Sequence, residues 1–228
     1  PVWDAESGTS DAPPSLIRIG DYVETRGSRA GQYRVPAFLP FLGQNRTIII
    51  QSQGAQNGAG LALLQSILIR SALMLPHQAT YTLLDPAGNG AAFPMRRHLA
   101  SVRENSGDVR RDLERVIQDI QRINEFYLDA SSPSFELVDA KLRINERFQF
   151  VFAADFPNKY DRRAIEALQS VANTGPRTGT YVFIHQNKDV EMPRDLNMQE
   201  FRNALYVDVG TSVVYSPCRL KLELDGAP

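Results

Sequence analysis

Short apolar runs alternate with helical segments through the middle of this chain, and that alternation constrains the fold more than any other feature. Apolar runs predict strands at residues 47–51, 81–84, 148–153 and 180–185. Apolar residues at helical spacing predict helices between these strands, at residues 61–75, 107–128 and 161–172. Strands separated by helices predict an α/β fold, a mostly parallel sheet with helices on both faces.

The two ends of the chain carry weaker patterns. Residues 1–15 are rich in Pro, Ser, Gly and acidic residues, which predicts a flexible lead-in. Residues 16–24 alternate like a strand and residues 25–32 are predicted as a loop. Three further short strands are predicted at residues 204–208, 213–215 and 220–224. We therefore expect one domain over residues 16–228.

Composition and charge exclude several classes of function. The 25 Lys and Arg residues nearly balance the 26 Asp and Glu residues, so the chain as a whole has no field that attracts nucleic acid. A single cysteine excludes an internal disulfide, and the three histidines show no spacing that suggests a metal site. The most apolar stretch, residues 61–76, is interrupted by polar residues and is too short to span a bilayer. We expect a cytoplasmic protein with no membrane insertion in this segment.

A glycine-rich turn, "SQGAQNGAG" at residues 52–60, joins the first strand of the alternation to its helix. A P-loop has the pattern G-x-x-x-x-G-K-[ST] at such a junction, where backbone N–H groups cradle phosphate. If Gly58 takes the last glycine of that pattern, Ala59 falls at the lysine and Gly60 at the hydroxyl residue. Gly54, Asn57, Gly58, Ala59 and Gly60 are the candidate nucleotide-binding residues. Three interpretations stay open: a structural turn, a residual nucleotide or anion site, and a working ATPase site.

An acidic residue follows another predicted strand. Asp155 comes after the run "FQFVFAA" and is placed where P-loop enzymes hold magnesium through water. The next position, where such enzymes carry a second acid, is Phe156, so no general base for the attacking water is evident. The alternative role for Asp155 is that of a turn or capping residue.

The order of these pieces resembles the FtsK/SpoIIIE family of P-loop ATPases, which includes DNA pumps and the multi-domain ATPases of type VII secretion. The matching segments are "TIIIQSQGAQNGAGLALLQSILIRSALMLP", "YTLLDPAGNGAAF", the charged helix that follows, "FVFAADFP" and "NTGPRTGTYVFIHQNKD". The resemblance covers residues 35–210 and implies a RecA-like P-loop NTPase fold. It places Gln186 at a sensor position and Arg177 where an arginine faces a neighbouring subunit.

The resemblance also implies ligands and partners. ATP with magnesium is the implied cofactor, although the residues at positions 59, 60 and 156 depart from the pattern that hydrolysis needs. The implied partners are other ATPase domains of the same or a neighbouring chain, with DNA or a secreted protein as substrate, and parts of a parent protein outside this chain that tether it to a membrane. We interpret the chain as a catalytically impaired module of a larger translocase or secretion ATPase. The alternatives are an active ATP-driven DNA or protein translocase and a partner-binding module.

Overall fold

A computed structural model describes residues 15–24, 31, 33–40, 47–103, 107–139, 141–209 and 220–224. Its strands are β1 (Leu16–Glu24), β2 (Arg34–Pro40), β3 (Thr47–Ser52), β4 (Ala79–Leu84), β5 (Phe148–Phe156), β6 (Thr180–Asn187), β7 (Leu205–Asp208) and β8 (Leu220–Leu224). Its α-helices are α1 (Asn57–Met74), α2 (Val109–Phe126) and α3 (Arg162–Thr174). The predicted lead-in and the predicted strand at residues 213–215 lie outside the described residues.

The larger of the two sheets has five strands in the order β4-β5-β6-β3-β7, and every neighbouring pair is parallel. Parallel strands bring their carboxyl ends to one edge of the sheet. The loops that follow β3, β4, β5 and β6 therefore lie along the same edge. The predicted α/β fold with a parallel sheet is confirmed.

Both faces of this sheet are buried, as its sequence pattern predicts. Aromatic side chains of β4, β5 and β6 pack on the α1 face, and their rings stack from Tyr81 through Phe150 to Tyr181. The alternate residues, such as Val151 and Ile184, pack against α2 and α3. Side chains of successive strand residues point to opposite faces. Runs buried on both sides therefore read as continuously apolar rather than alternating.

The helices begin and end close to their predicted bounds for local reasons. Asp108 caps α2, since its side chain accepts hydrogen bonds from the N–H groups of Arg110 and Arg111. Asp161 caps α3 by accepting from the N–H of Ala164. Helix α1 has no such side-chain cap and no acidic residue in its first turn. Its amino end is therefore the one that stays open to a negatively charged group.

The second sheet was only partly predicted. Strand β1 pairs antiparallel with β2 on one side and with β8 on the other. Ile17 and Ile19 of β1 join the same apolar cluster as α1, so this small sheet covers the helix from outside. Strand β2 was not predicted, because its two prolines, Pro36 and Pro40, argue against a strand. An edge strand such as β2 tolerates them. The division into one domain over residues 16–228 stays a prediction.

Candidate functional site

The glycine loop lies at the carboxyl edge of the parallel sheet. Strand β3, between β6 and β7, ends at Ser52, and a short 3-10 turn over Gly54–Gln56 leads directly into α1. Gly54 has a φ of 56°, a left-handed conformation that glycine adopts without strain. The strand–loop–helix context of a phosphate-binding loop is therefore present. Its five candidate residues, Gly54, Asn57, Gly58, Ala59 and Gly60, stay predictions as nucleotide ligands.

Two positions of the loop decide what chemistry it can support. Ala59 and Gly60 are buried in the first turn of α1, whereas Gly58 faces open space. A Cβ atom built on Gly60 would lie 2.7 Å from Ser52 Oγ and 2.9 Å from His185 Nε2. At such distances Ser52 or His185 would have to move, so the place that a P-loop hydroxyl residue would fill is occupied by these two side chains.

A directed chain of hydrogen bonds runs through this part of the site. The backbone N–H of Asp155 donates to His185 Nδ1 at 3.3 Å, which leaves the His185 proton on Nε2. His185 Nε2 then donates to Ser52 Oγ at 2.7 Å, and Ser52 Oγ donates to Asn57 Oδ1 at 2.8 Å. Burial lowers the pKa of His185, although the Asp155 carboxylate opposes that shift. The neutral imidazole that the chain requires is therefore the favoured form.

The same chain returns to the residue from which it started. Asn57 Nδ2 donates to Asn187 Oδ1 at 3.2 Å, and Asn187 Nδ2 donates to Asp155 Oδ1 at 2.8 Å. Between the Asp155 N–H, where the ring begins, and the Asp155 carboxylate, where it ends, each side chain accepts one hydrogen bond of the ring and donates the next. The carboxyl ends of β3, β5 and β6 and the amino end of α1 are thereby joined by the protein's own polar groups.

Asp155, the predicted magnesium-strand acid, is bound by carboxamides. Its Oδ1 accepts from Asn187 and its Oδ2 accepts from Asn158 Nδ2 at 2.7 Å. Phe156, at the position of the absent second acid, is buried against the rings of Tyr160 and Phe201. The role of Asp155 as a magnesium residue stays a prediction.

A second carboxylate lies at the mouth of the loop. Asp189 Oδ2 accepts from the N–H of Gly54 at 2.7 Å and from Asn57 Nδ2 at 2.8 Å. The Asp189 N–H donates to Asn187 Oδ1 at 2.9 Å, so the turn after β6 holds this carboxylate in place. The negatively charged group at the open end of α1 is therefore one that the chain supplies itself.

The other two predicted site residues lie apart from this network. Gln186 is buried at the end of β6, where its Oε1 accepts from Gln51 Nε2 at 2.8 Å. Strand alternation puts it on the opposite face of the sheet from His185. Arg177 lies before β6, at the other end of the strand, where its exposed guanidinium donates to the Pro133 carbonyl at 3.1 Å. Their sensor and interface roles stay predictions.

The turn after β4 lies at the same edge of the sheet, and its hydrogen bonds stay within the turn. Both oxygens of Asp85 accept from backbone N–H groups within the turn, those of Gly88 and Ala92, each at 2.9 Å. A Cβ on Gly88 would lie 2.6 Å from Asp85 Oδ2. Asp85 therefore shapes its own turn rather than pointing into the network of the other three loops.

Several residues of the network were not among the predicted site residues. Ser52, Asn158, Asn187 and Asp189 belong to no catalytic motif, and His185 reads as an ordinary structural histidine. The signal that points to them is the concentration of polar residues at the carboxyl ends of β3, β5 and β6, since the ends of parallel strands meet at one edge of the sheet.

These residues do not fit Mg-ATP in a hydrolytic arrangement. A P-loop needs a lysine for the β- and γ-phosphates and a hydroxyl for magnesium. Position 59 supplies a methyl group and position 60 is packed against His185. Both oxygens of Asp155 already accept hydrogen bonds from amide groups.

The five-stranded parallel sheet, with a glycine loop joining a central strand to α1, defines a RecA-like α/β fold of the P-loop NTPase class. Among solved structures, the chain is similar to EssC (ATPases 2 and 3) from Geobacillus thermodenitrificans, with TM-score 0.63 and 13% identity over 97% of this chain and 46% of that one. It is also similar to the cytoplasmic domain of EssC, with TM-score 0.59 and 17% identity over 86% of this chain and 37% of that one.

A third similar structure is the pCW3 conjugation coupling protein TcpA, a monomer form with ATPγS, with TM-score 0.53 and 12% identity over 76% of this chain and 48% of that one. The chain spans less than half the length of each of these three structures. No protein-family model and no curated protein matches the sequence. The resemblance to FtsK/SpoIIIE-type ATPases is confirmed at the level of the fold.

Among the described residues, no helix is both long enough and apolar enough to cross a membrane.

Proposed function

We propose that this chain is a catalytically impaired ATPase domain that serves as a structural or regulatory module of a larger translocase or secretion ATPase. The observation that supports this proposal most directly is the packing at Gly60. The volume of the magnesium-binding hydroxyl residue is taken by Ser52 and His185, which are themselves hydrogen-bonded at 2.7 Å.

The absence of a lysine at position 59 also supports catalytic impairment, because the loop then lacks a positive charge. Phosphoryl transfer relies on positive groups fixed where negative charge develops in the transition state. The segment from Ser52 to Gly60 contains no Lys or Arg, and Lys188, the cation two residues beyond Gln186, pairs with Asp208 at 2.8 Å. A loop that brings no cation to the phosphates gives them a binding surface at most.

The partners that we propose are other ATPase domains, in the same chain or in a neighbouring one. The structures that resemble this fold include one described as holding ATPases 2 and 3, of which this chain matches about half. A domain without turnover can still contribute packing surface to such an assembly. We place the module in the cytoplasm, tethered to a membrane by other parts of its parent protein, with DNA or a secreted protein as the substrate moved.

The experiment that tests this proposal is an ATP turnover assay on the purified chain with magnesium, with and without double-stranded DNA. We expect no turnover above the buffer rate in either condition. Turnover that double-stranded DNA stimulates would refute catalytic impairment and favour the alternative, an active ATP-driven translocase.

A parallel titration with a fluorescent ATP analogue measures residual binding. Gly58→Glu places a carboxylate at the loop in open space, so it blocks phosphate without disturbing packing. Gln118→Glu adds the same charge on the exposed side of α2 and is the matched control. Saturable binding that only Gly58→Glu abolishes would show that the loop still holds nucleotide. Absence of binding would restrict the module to protein contacts.

A further inference from the structure

The backbone N–H of Gly54 is a donor that could bind an anion, and it already donates to a carboxylate of the chain, that of Asp189. The N–H of Gly54 points at Asp189 Oδ2 at 2.7 Å, a short distance typical of charge-assisted hydrogen bonds. Asn57 Nδ2 donates to the same oxygen at 2.8 Å. Asp189 Oδ2 therefore accepts from both the Gly54 N–H and Asn57 Nδ2. These donors lie where a P-loop presents its N–H groups to phosphate.

Hydrogen bonds of the surrounding turn hold the backbone of Asp189 in place beside the loop. Strand pairing continues past β6, because the Lys188 N–H donates to the Ser52 carbonyl at 2.9 Å. The turn then closes through Asn187, whose Oδ1 accepts from the N–H of Asp189 and whose carbonyl accepts from the N–H of Val190. The segment Asn187–Asp189 is thus tied at both ends beside the loop.

The partial positive charge at the amino end of α1 favours a carboxylate at this position. Helix α1 has 18 residues, no side-chain cap and no acidic residue in its first turn. The partial positive charge at that end is therefore left for a group from elsewhere, and Asp189 is the carboxylate bonded to the loop N–H. A phosphate entering the loop would have to replace Asp189 as the acceptor for the Gly54 N–H, and it would be repelled by the negative charge of that carboxylate.

We propose that Asp189 is an autoinhibitory latch, an internal anion that closes the glycine loop to phosphate groups. This inference rests on the proposed function, in which the loop has no catalytic duty, and adds that the loop's affinity for phosphate groups is lowered by a carboxylate of the chain itself. Asp189 is exposed, so the latch opens by rotation of one surface side chain and needs no change in the core. A partner that draws Asp189 away would make the loop available to an anion.

The test uses inorganic pyrophosphate and amide-detected NMR of the intact chain at constant ionic strength. Asp189→Ala removes the carboxylate, and Asp189→Asn keeps its shape without its charge. Glu191→Gln removes one exposed negative charge two residues away and is the matched control. The readout is the Gly54 amide resonance, first without ligand and then through the titration.

We expect the Gly54 resonance to move when Asp189 is replaced and to stay in place in Glu191→Gln. We also expect Asp189→Ala to bind pyrophosphate at Gly54 about tenfold more tightly than wild type or more, since a charge-assisted hydrogen bond and a like charge no longer compete. Asp189→Asn should fall between the two. A Gly54 resonance unmoved by Asp189→Ala would overturn the inference, as would equal pyrophosphate affinity in wild type and Asp189→Ala or no binding by either.

Failure of this inference is distinguishable from failure of the proposed function. ATP turnover by the wild-type chain would refute catalytic impairment whatever pyrophosphate does at Gly54. A chain without turnover, in which Asp189→Ala gains no pyrophosphate affinity, would refute the latch alone.

Discussion

The packing of Gly60 predicts an unusual difference between two neighbouring glycines of the same helix. Gly58 and Gly60 both lie in the first turn of α1, and a Cβ on Gly58 meets nothing within 4 Å. A Cβ on Gly60 would lie 2.7 Å from Ser52 Oγ and 2.9 Å from His185 Cδ2. Both alanine variants gain the same helix propensity, up to about 1 kcal/mol, so the difference between them isolates the steric contact.

The magnitude follows from what must move. Overpacking by one methyl group in a tight site costs about 1–3 kcal/mol. Displacing Ser52 or His185 also breaks a buried hydrogen bond, at about 0.5–1.5 kcal/mol. We therefore expect Gly60→Ala to be less stable than Gly58→Ala by roughly 1.5–4.5 kcal/mol.

Urea denaturation of both variants, followed by circular dichroism, measures this difference. Gly58→Ala should match or exceed the free energy of unfolding of the wild-type chain. If the two variants differed by less than about 0.5 kcal/mol, within the spread of ordinary surface substitutions, the claim that Ser52 and His185 fill the hydroxyl position would be refuted.

Three further predictions follow from the same structure. Burial lowers the pKa of His185 in the folded chain, so the unfolded chain binds the proton more tightly, and the free energy of unfolding should decrease as pH falls below about 6.5. His185→Gln should flatten that part of the pH profile, and an unchanged slope would contradict a buried neutral imidazole. Gly179→Ala should lower the free energy of unfolding by roughly 2–4 kcal/mol, since its φ is 72° and a Cβ would lie 2.6 Å from a ring carbon of Phe135. Gly107→Ala, with a φ of 78° and no atom near the added Cβ, controls for the backbone strain alone. Arg177→Ala should leave the stability of the chain nearly unchanged and reduce ATP turnover of the assembled parent protein, whereas Arg163→Ala, which removes another exposed arginine, should not. Equal turnover in all three proteins would exclude Arg177 from a neighbour's nucleotide site.

The parallel sheet could be predicted because its signal is local and strong. Strands β3, β4, β5 and β6 are buried on both faces, so each reads as a mostly apolar run that ends at a polar turn. Helix α2 was predicted from a single apolar stripe, which the sheet buries as expected. These elements can be predicted from their own residues, without information on distant parts of the chain.

Strand β2 could not be predicted for the opposite reason. Pro36 and Pro40 remove two backbone donors, which a central strand could not tolerate. Only the arrangement of the small sheet, in which β2 lies at an edge beside β1, makes the segment acceptable as a strand. That information depends on where β8, far along the chain, pairs with β1.

In the candidate site, too, the parts that depend on local sequence could be predicted, and the parts that depend on distant contacts could not. The glycine loop could be predicted because its residues are contiguous, and Asp155 because it follows an apolar run. The ring of hydrogen bonds could not, since it joins Ser52 and Asn57 to Asn187 across 130 residues or more of chain. Serine and asparagine at such positions have no sequence signature apart from the strands that bring them together.

The departures of this loop from the P-loop pattern are coupled to one another by direct contacts. His185 takes the space of a hydroxyl residue at position 60, so position 60 must be glycine. The neutral, buried His185 has a partner for each ring nitrogen: Ser52 Oγ accepts the hydrogen bond from Nε2–H, and the Asp155 N–H donates to Nδ1. A lysine at position 59 would bring a positive charge to a helix end that is itself partly positive and whose nearby carboxylates already have amide partners. Each departure from the P-loop pattern is thus accommodated by the others, which supports the proposal that this loop serves packing.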